Sequence, residues 1–158
     1  MILTIDPGIN TGIAHFKTHD DKRPNVYEIR ARKDASIEKR LLNIHVEFNT
    51  LLYIIEEEEK SDLVSCYIES VEYWEQNLIS RTSAVRGNLS FLSYMVGVYS
   101  SVCFQHGIEV HLLPARAWKG QMDKEVTAER VRRVNGITYK NSHITDAVGI
   151  GFSLQGVL

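Results

Sequence analysis

The first thirty residues alternate short apolar runs with polar turns, which is the pattern of paired strands. Residues 2–5 form an apolar run that ends at the turn signal Asp6-Pro7-Gly8. Residues 11–16 predict a second strand, and the alternating residues 25–29 predict a third strand at an edge of the sheet. We therefore expect three antiparallel strands to open the domain.

The middle of the chain contains two segments whose apolar residues are spaced as in a helix, and two apolar runs typical of strands. Apolar residues recur every three or four positions from 36 to about 59, with Ser36 in the N-cap position, which predicts one long amphipathic helix. Residues 63–68 are mostly apolar and predict a central strand buried on both faces. A second long helix is predicted from 83 to about 105, and another strand from 108 to 113.

The last third predicts a short helical turn at 114–118 and two helices at 125–134 and 142–154. The order β-β-β-α-β-α-β-α-α predicts an α/β fold with a mixed five-stranded sheet flanked by helices, its first three strands antiparallel. Because domains commonly run to about 100–150 residues, we expect residues 1–158 to form a single domain.

Composition narrows the classes of protein that remain. The chain is 44% hydrophobic and 24% charged, which is ordinary for a globular protein. A formal net charge of −2 argues against a strongly basic nucleic-acid binder. However, the charge is unevenly distributed: residues 1–80 include 9 basic and 15 acidic residues, whereas residues 81–158 include 9 basic and 5 acidic residues. This asymmetry fits one anionic, metal-binding region and one face for phosphates, and solvated surface charge explains it equally well.

The cysteines and the start of the chain indicate the cellular compartment of the protein. Cys66 and Cys103 lie far apart within apolar stretches, so we interpret them as buried free thiols in a reducing compartment. The sequence begins directly with a strand-like run and lacks 18 uninterrupted apolar residues. We expect a soluble, intracellular protein that is not associated with a membrane.

Three acids stand at positions suited to chemistry. Asp6 ends the first apolar run, Glu69 follows the predicted central strand, and Asp146 lies one helical turn after His143. If the first strand pairs with the one ending at Ile68, the first two acids fall on adjacent strands. Buried unpaired carboxylates are costly, so this placement calls for a compensating cation, and oxygen ligands suit Mg²⁺ or Mn²⁺. A pair of such ions about 3.5–4 Å apart can support phosphodiester hydrolysis.

Each of these residues also has a purely structural interpretation. Asp6 could cap the turn that follows it, and Glu69 could be an ordinary loop acid. His143 and Asp146 could be a helix cap and a first-turn acid. Their joint order and placement favour the metal site over these separate explanations.

Three segments together resemble a known family. Ile-Leu-Thr-Ile-Asp-Pro-Gly-Ile-Asn-Thr-Gly at 2–12, Tyr-Ile-Glu-Ser-Val at 67–71 and His-Ile-Thr-Asp-Ala-Val at 143–148 resemble the three acidic motifs of RuvC-type Holliday junction resolvases. That family belongs to the ribonuclease H-like, or retroviral integrase, superfamily of nucleases. The resemblance implies a ribonuclease H-like fold, a homodimer, and symmetrical cutting of four-way DNA junctions with Mg²⁺ or Mn²⁺, with two ions per site. The chain fits a cellular or a phage-encoded member, acting in the nucleoid-containing cytoplasm or in that of an infected host.

The resemblance also assigns catalytic roles. Asp6, Glu69, His143 and Asp146 would be the metal ligands, in the variant of the third motif that carries a histidine, and imidazole suits Mn²⁺ better than Mg²⁺. Lys119 resembles a catalytic lysine near the scissile phosphate, and Lys124 a second basic residue that contacts DNA. The alternative for both lysines is a solvated surface position.

Further residues would contact DNA or a second subunit. Tyr73 and Trp74 occupy the region where relatives stack an aromatic ring on an unpaired base, although core or interface packing is an alternative. Arg81 and Arg86 resemble a stretch that binds the DNA backbone. The predicted helix 83–105 resembles the one that pairs across the dimer, and its small residues would allow close approach; packing within one subunit is the alternative.

The predicted function is therefore metal-dependent endonucleolytic resolution of four-way junctions, without a nucleotide cofactor. One alternative is a ribonuclease H-fold nuclease that acts on flaps, forks or RNA–DNA hybrid. Another is a junction-binding protein without catalysis. A genome-packaging nuclease is disfavoured because the chain lacks the Gly-x-x-x-x-Gly-Lys-Ser/Thr loop of a coupled ATPase. An actin-like or sugar-kinase ATPase would need a second phosphate loop and a second domain.

Overall fold

A computed structural model describes residues 1–31, 35–59, 64–70 and 88–158 of the chain. The strands of the described residues are β1 (Ile2–Asp6), β2 (Asn10–Phe16), β3 (Asn25–Arg30), β4 (Ser65–Ser70) and β5 (Glu109–Pro114). The helices are α1 (Ile37–Glu59), α2 (Asn88–Gln105), α3 (Ala115–Lys119), α4 (Lys124–Asn135) and α5 (Ser142–Leu154).

The strands form one mixed sheet in the order β3-β2-β1-β4-β5. The pairs β1–β2 and β2–β3 are antiparallel, whereas β1–β4 and β4–β5 are parallel. The α/β fold with a mixed five-stranded sheet and three antiparallel opening strands is therefore confirmed. The first strand also pairs with the strand that contains Ile68, as the placement of the acids required.

The sheet separates two apolar clusters because successive side chains of a strand point to opposite faces. Leu3 and Ile5 of β1 lie on the face covered by α1 and α2, with Ile13, Cys66 and Ile68. The smaller cluster lies on the opposite face, where α4 and α5 pack against β2. Its buried residues are Ala14, Phe16, Val131, Ala147, Val148 and Phe152. The phenyl rings of Phe16 and Phe152 meet edge to face at 5.9 Å.

One prediction about β4 is wrong. Cys66 and Ile68 are fully buried, but Tyr67 and Glu69 on the other face are only half-buried. Helix α5 packs mainly against β1 and β2, so it leaves this face of β4 partly open. The strand also continues to Ser70, because Glu69 and Ser70 pair with the end of β5.

Both cysteines are buried and free, as the sequence indicated. Burial raises the pKa of the Cys66 thiol well above its usual value, so this thiol is not poised for reaction. Within the part of the chain that is described, no helix has the length and apolar character needed to cross a membrane.

Candidate active site

Two acidic residues lie side by side at one edge of the sheet. Ile5 of β1 is paired with Ile68 of β4 in parallel register, so Asp6 and Glu69 follow at the same level on adjacent strands. Both project to the face on which α5 lies, because they alternate with Ile5 and Ile68, which face α1 and α2. The carboxyl ends of adjacent parallel strands are where open α/β sheets commonly build their sites.

Helix α5 is fixed closely to this face. The hydroxyl of Thr4 donates a hydrogen bond to the carbonyl of Ala147 at 2.7 Å. Gly12 lies opposite Asp6 in the β1–β2 pair, and a Cβ atom on Gly12 would overlap the backbone of His143 and Ile144. The first turn of α5 therefore rests directly on the strand backbone.

The first motif also closes its own turn. The Thr11 hydroxyl accepts a hydrogen bond from the Gly8 N–H at 3.2 Å and donates one to the Gly8 carbonyl at 2.9 Å. The buried hydroxyl of Tyr99, on α2, donates to the same Thr11 oxygen at 2.9 Å. The Thr11 hydroxyl is therefore engaged within the protein, where it closes the turn at Gly8 and ties it to α2.

Asp6 and His143 form the first contact of the site. His143 Nδ1 lies 2.6 Å from Asp6 Oδ2, in position for the imidazole to donate to the carboxylate. The ring lies over Gly8, where a Cβ atom would come within 2.5 Å of the imidazole. Burial raises the pKa of Asp6 despite this hydrogen bond, and the hydrogen bond with Asp6 raises the pKa of His143. Both shifts favour retention of a proton between the two groups.

The start of α5 explains why His143 is available for this contact. The side chain of Asn141 accepts from the backbone N–H of His143 at 2.9 Å and is the N-cap of the helix. Asn141 rather than His143 is therefore the helix cap, so the purely structural role considered for His143 does not apply. His143 and Asp146 are three positions apart and share one face of α5.

Glu69 and Asp146 form the second group, together with two neighbouring residues of α3. Lys119 Nζ lies 3.3 Å from Asp146 Oδ2 and 3.9 Å from Glu69 Oε2. The indole N–H of Trp118 donates to the same Glu69 oxygen at 2.9 Å. Burial raises the pKa of Glu69 to about 7, and the nearby Asp6 charge adds to the effect, whereas Lys119 and Trp118 oppose it.

Trp118 is a site residue that sequence reasoning missed. Its ring packs against Gly149 of α5, where a Cβ atom would come within 2.7 Å of the ring. Helix α3 begins directly after β5, so its five residues carry Trp118 and Lys119 past the end of β4. The signal in the sequence was its position: an indole N–H donor next to the predicted catalytic lysine.

The donor chemistry fits a hard divalent cation, since three carboxylates and one imidazole share one edge of the sheet. Within the described ranges, however, no three histidine, cysteine or acidic side chains are gathered closely enough to hold an ion. The carboxylates are divided between the Asp6–His143 contact and the ion pairs of Lys119. The assignment of Asp6, Glu69, His143 and Asp146 as metal ligands therefore stays a prediction.

Basic residues flank the site on two sides. Lys124, exposed at the start of α4, opposes the effect of Asp6 on the pKa of His143, which indicates that it lies within electrostatic reach of the ring. Beyond His143 a polar cleft of about 450 Å³ contains Arg30 and Lys140; Arg30 donates to Glu28 at 3.0 Å. The lining residues are Asn10, Glu28, Arg30, Lys140, Asn141, Ser142 and His143.

The other predicted DNA contacts, Tyr73, Trp74, Arg81 and Arg86, lie outside the described residues. The beginning of the predicted helix 83–105 also lies outside them, and its described part is α2. These assignments stay predictions.

The fold is shared with solved structures. No protein-family model and no curated protein matches the sequence. The chain is similar to the structure of Thermus thermophilus RuvC in complex with a Holliday junction substrate, with a TM-score of 0.67, 17% identity, and coverage of 96% of this chain and 90% of the other. The structure of Thermus thermophilus RuvC gives a TM-score of 0.64, 17% identity, and coverage of 96% and 91%. The predicted ribonuclease H-like fold is confirmed.

Proposed function

We propose that this protein is a divalent-metal-dependent endonuclease that resolves four-way DNA junctions by paired, symmetrical phosphodiester hydrolysis. The observation that carries the proposal is the meeting of three motifs at one edge of the sheet. Asp6 and Glu69 lie side by side near the carboxyl ends of adjacent parallel strands, and α5 brings His143 and Asp146 to the same face. The similarity to RuvC bound to a Holliday junction supports this choice of substrate.

The proposed chemistry requires a bound metal. Asp6, Glu69, His143 and Asp146 would hold Mg²⁺ or Mn²⁺ through their carboxylate and imidazole groups, and two such ions would supply the Lewis acidity for activation of a water and for stabilisation of the leaving oxygen. Lys119, whose ammonium lies among the carboxylates, would bind a non-bridging oxygen of the scissile phosphate and stabilise the charge that develops there. Trp118 would hold Glu69 in place through its N–H group.

The proposed DNA path passes over the basic residues on both sides of the site. Lys124 would contact a backbone phosphate on one side, and Arg30 and Lys140 offer two cations in the polar cleft on the other. Arg81 and Arg86 would bind the backbone further along, and Tyr73 or Trp74 would stack on an unpaired base at the junction centre. Glu28 offsets part of the positive charge of the cleft, so the contribution of the cleft to DNA binding would be modest.

Symmetrical cleavage requires two sites, and we propose that a homodimer supplies them. The outward face of α2 presents two aromatic residues to solvent: Tyr94 is 55% exposed and Phe104 is 64% exposed. Exposed aromatic residues are typical of protein–protein contact surfaces. Gly97 lies between Tyr94 and Phe104 on the exposed side of the helix, and a Cβ atom there would meet nothing within 4 Å. A second copy of α2 could therefore approach closely at this point. The activity would be exerted in the cytoplasm of a cell or of a phage-infected host.

The test is cleavage of a synthetic four-way junction with Mg²⁺ or Mn²⁺, compared with linear duplex, fork, flap and RNA–DNA hybrid substrates of matched sequence. Wild-type protein should produce paired nicks at symmetrical positions in opposite strands of the junction. Asp6→Asn should abolish cleavage while junction binding persists, because the substitution removes a carboxylate charge without changing the size of the side chain.

The other outcomes decide between the remaining functions. Equal cutting of flaps, forks or hybrid would indicate a broader ribonuclease H-fold nuclease with the same metal chemistry. Tight junction binding without cleavage under any metal condition would indicate a non-catalytic junction-binding protein. Cleavage by a strict monomer, measured by light scattering at the assay concentration, would contradict the dimer.

A further inference from the structure

Lys119 occupies a position between two carboxylates that belong to different elements. Its ammonium lies 3.3 Å from Asp146 Oδ2 on α5 and 3.9 Å from Glu69 Oε2 on β4. The lysine side chain is 20% exposed and the two acidic side chains are 9% and 19% exposed. A single ammonium thus compensates two largely buried acids that would otherwise repel each other.

The geometry around Lys119 restrains it in this position. Its ammonium lies 4.9 Å from the centre of the Trp118 ring, within the range of a cation–π contact. The Trp118 N–H donates to the same Glu69 oxygen that faces Lys119. The carboxylate oxygens that face this ammonium are therefore directed towards a positive charge supplied by the protein itself.

We propose that the Lys119 ammonium acts as an internal substitute for a divalent cation, so that metal binding by Glu69 and Asp146 and the two Lys119 ion pairs exclude each other. This inference rests on the proposed function, since it concerns the same carboxylates. The ion pairs keep the two acids compensated in the metal-free protein, at the expense of metal affinity. When a metal binds, the ammonium is released from Asp146 and becomes available for a phosphate.

The test is direct measurement of Mn²⁺ binding, by titration calorimetry or by the electron paramagnetic resonance of free Mn²⁺, without DNA. Lys119→Met should lower the dissociation constant about tenfold, equivalent to about 1.4 kcal/mol. Lys124→Met is the matched control, because it also removes a lysine charge near the site, within electrostatic reach of His143, but no contact with Glu69 or Asp146; its dissociation constant should therefore fall clearly less than that of Lys119→Met, by at most about threefold. Lys119→Arg, which retains the charge, should bind Mn²⁺ no more tightly than the wild type does.

Thermal unfolding supplies a second readout that also reports on folding. In EDTA, Lys119→Met should melt below the wild type, because two partly buried carboxylates lose their cation. Added Mn²⁺ should raise its melting temperature more than that of the wild type, because at a given Mn²⁺ concentration tighter binding to the folded state stabilises that state more.

The outcomes separate this inference from the proposed function. If Lys119→Met binds Mn²⁺ no more tightly than the wild type, or if Lys124→Met gains as much affinity, internal substitution by Lys119 is overturned while the metal site stands. If neither the wild type nor Lys119→Met binds Mn²⁺, the metal-dependent function fails and this inference fails with it.

Discussion

The two halves of the acidic site are built in different ways. Asp6 and His143 meet because backbone packs on backbone: Gly12 leaves no space between β2 and the first turn of α5, and Gly8 lies directly under the imidazole. Glu69 and Asp146 are instead joined through the long side chain of Lys119. Close packing of backbone therefore fixes the first half of the site, whereas the ion pairs of one flexible side chain connect the acids of the second half.

The largest effect is expected from Gly12→Ala. The added methyl group would overlap the backbone of His143 and Ile144, which can move only if α5 lifts from the sheet. We expect a loss of about 3 kcal/mol in the free energy of unfolding, the upper range for overpacking, together with loss of junction cleavage. Denaturant unfolding monitored by circular dichroism measures the stability.

Gly8→Ala is the matched control for that change. Its methyl group would meet the imidazole ring, a side chain that can rotate away, so stability should fall by only about 1 kcal/mol. If the two substitutions cost the same, the rigid half of the site is not defined by backbone packing on Gly12.

The next effect is expected from Lys119→Met on catalysis. Removal of a cation that stabilises charge in the transition state should lower the single-turnover rate of junction cleavage at saturating Mn²⁺ by about 100-fold. Stability should change far less than in Gly12→Ala, because a flexible side chain rather than the packed backbone is altered. Rapid-quench kinetics with a labelled junction measures the rate.

Lys124→Met serves as the comparison in the same assay. We expect it to weaken junction binding with a smaller effect on the rate at saturation, since Lys124 makes no contact with Glu69 or Asp146. An equal loss of rate in both variants would remove the distinction between the two lysines.

A third prediction concerns pH and the second half of the site. The pKa of Glu69 is raised from 4.5 to about 7 in the folded protein, chiefly by burial, so the folded state retains this proton where the unfolded state has lost it. Stability should therefore fall as the pH rises between about 4.5 and 7. In EDTA, Glu69→Gln should remove this dependence, with a relative gain on the order of 3 kcal/mol by pH 7.5, since each pKa unit of the shift corresponds to about 1.4 kcal/mol.

Unfolding of the wild type and Glu69→Gln at several pH values tests this prediction. The difference between the two proteins isolates Glu69 from the other titratable groups of the site, such as His143. Parallel curves, with a constant difference at every pH, would show that Glu69 does not retain its proton in the folded protein.

The smallest effect is expected in the polar cleft beside His143. Lys140→Gln removes one of its two cations and should weaken junction binding about two- to threefold at moderate salt, with a salt dependence reduced by about one phosphate contact. Lys22→Gln, in the loop at the opposite end of the β2–β3 hairpin, is the control and should bind like the wild type. Fluorescence anisotropy in Ca²⁺ measures the binding, and equal effects of the two changes would exclude the cleft from the DNA path.

Much of the fold could be predicted from the sequence because its local patterns agree with one another. Alternation and turn residues located β1 to β3, and helical periodicity located α1, α4 and α5 to within two residues at each end. The change from apolar to acidic residues also located Asp6 at the end of β1, whereas β4 continues one residue beyond Glu69, because Ser70 still pairs with β5. The exposure of one face of β4 was not predicted, because it depends on which strands α5 covers.

The sequence alone therefore predicted the elements, their order, the acids Asp6 and Glu69 where two apolar runs stop, and His143 and Asp146 one turn apart on the same helix. These features depend on spacing along the chain, which a sequence states directly. Three contacts are visible only in the folded protein: His143 pairs with Asp6, Lys119 bridges Glu69 and Asp146, and Trp118 donates to Glu69. Those contacts join residues 27 to 137 positions apart, and they depend on side-chain directions and on the close approach that Gly8 and Gly12 permit.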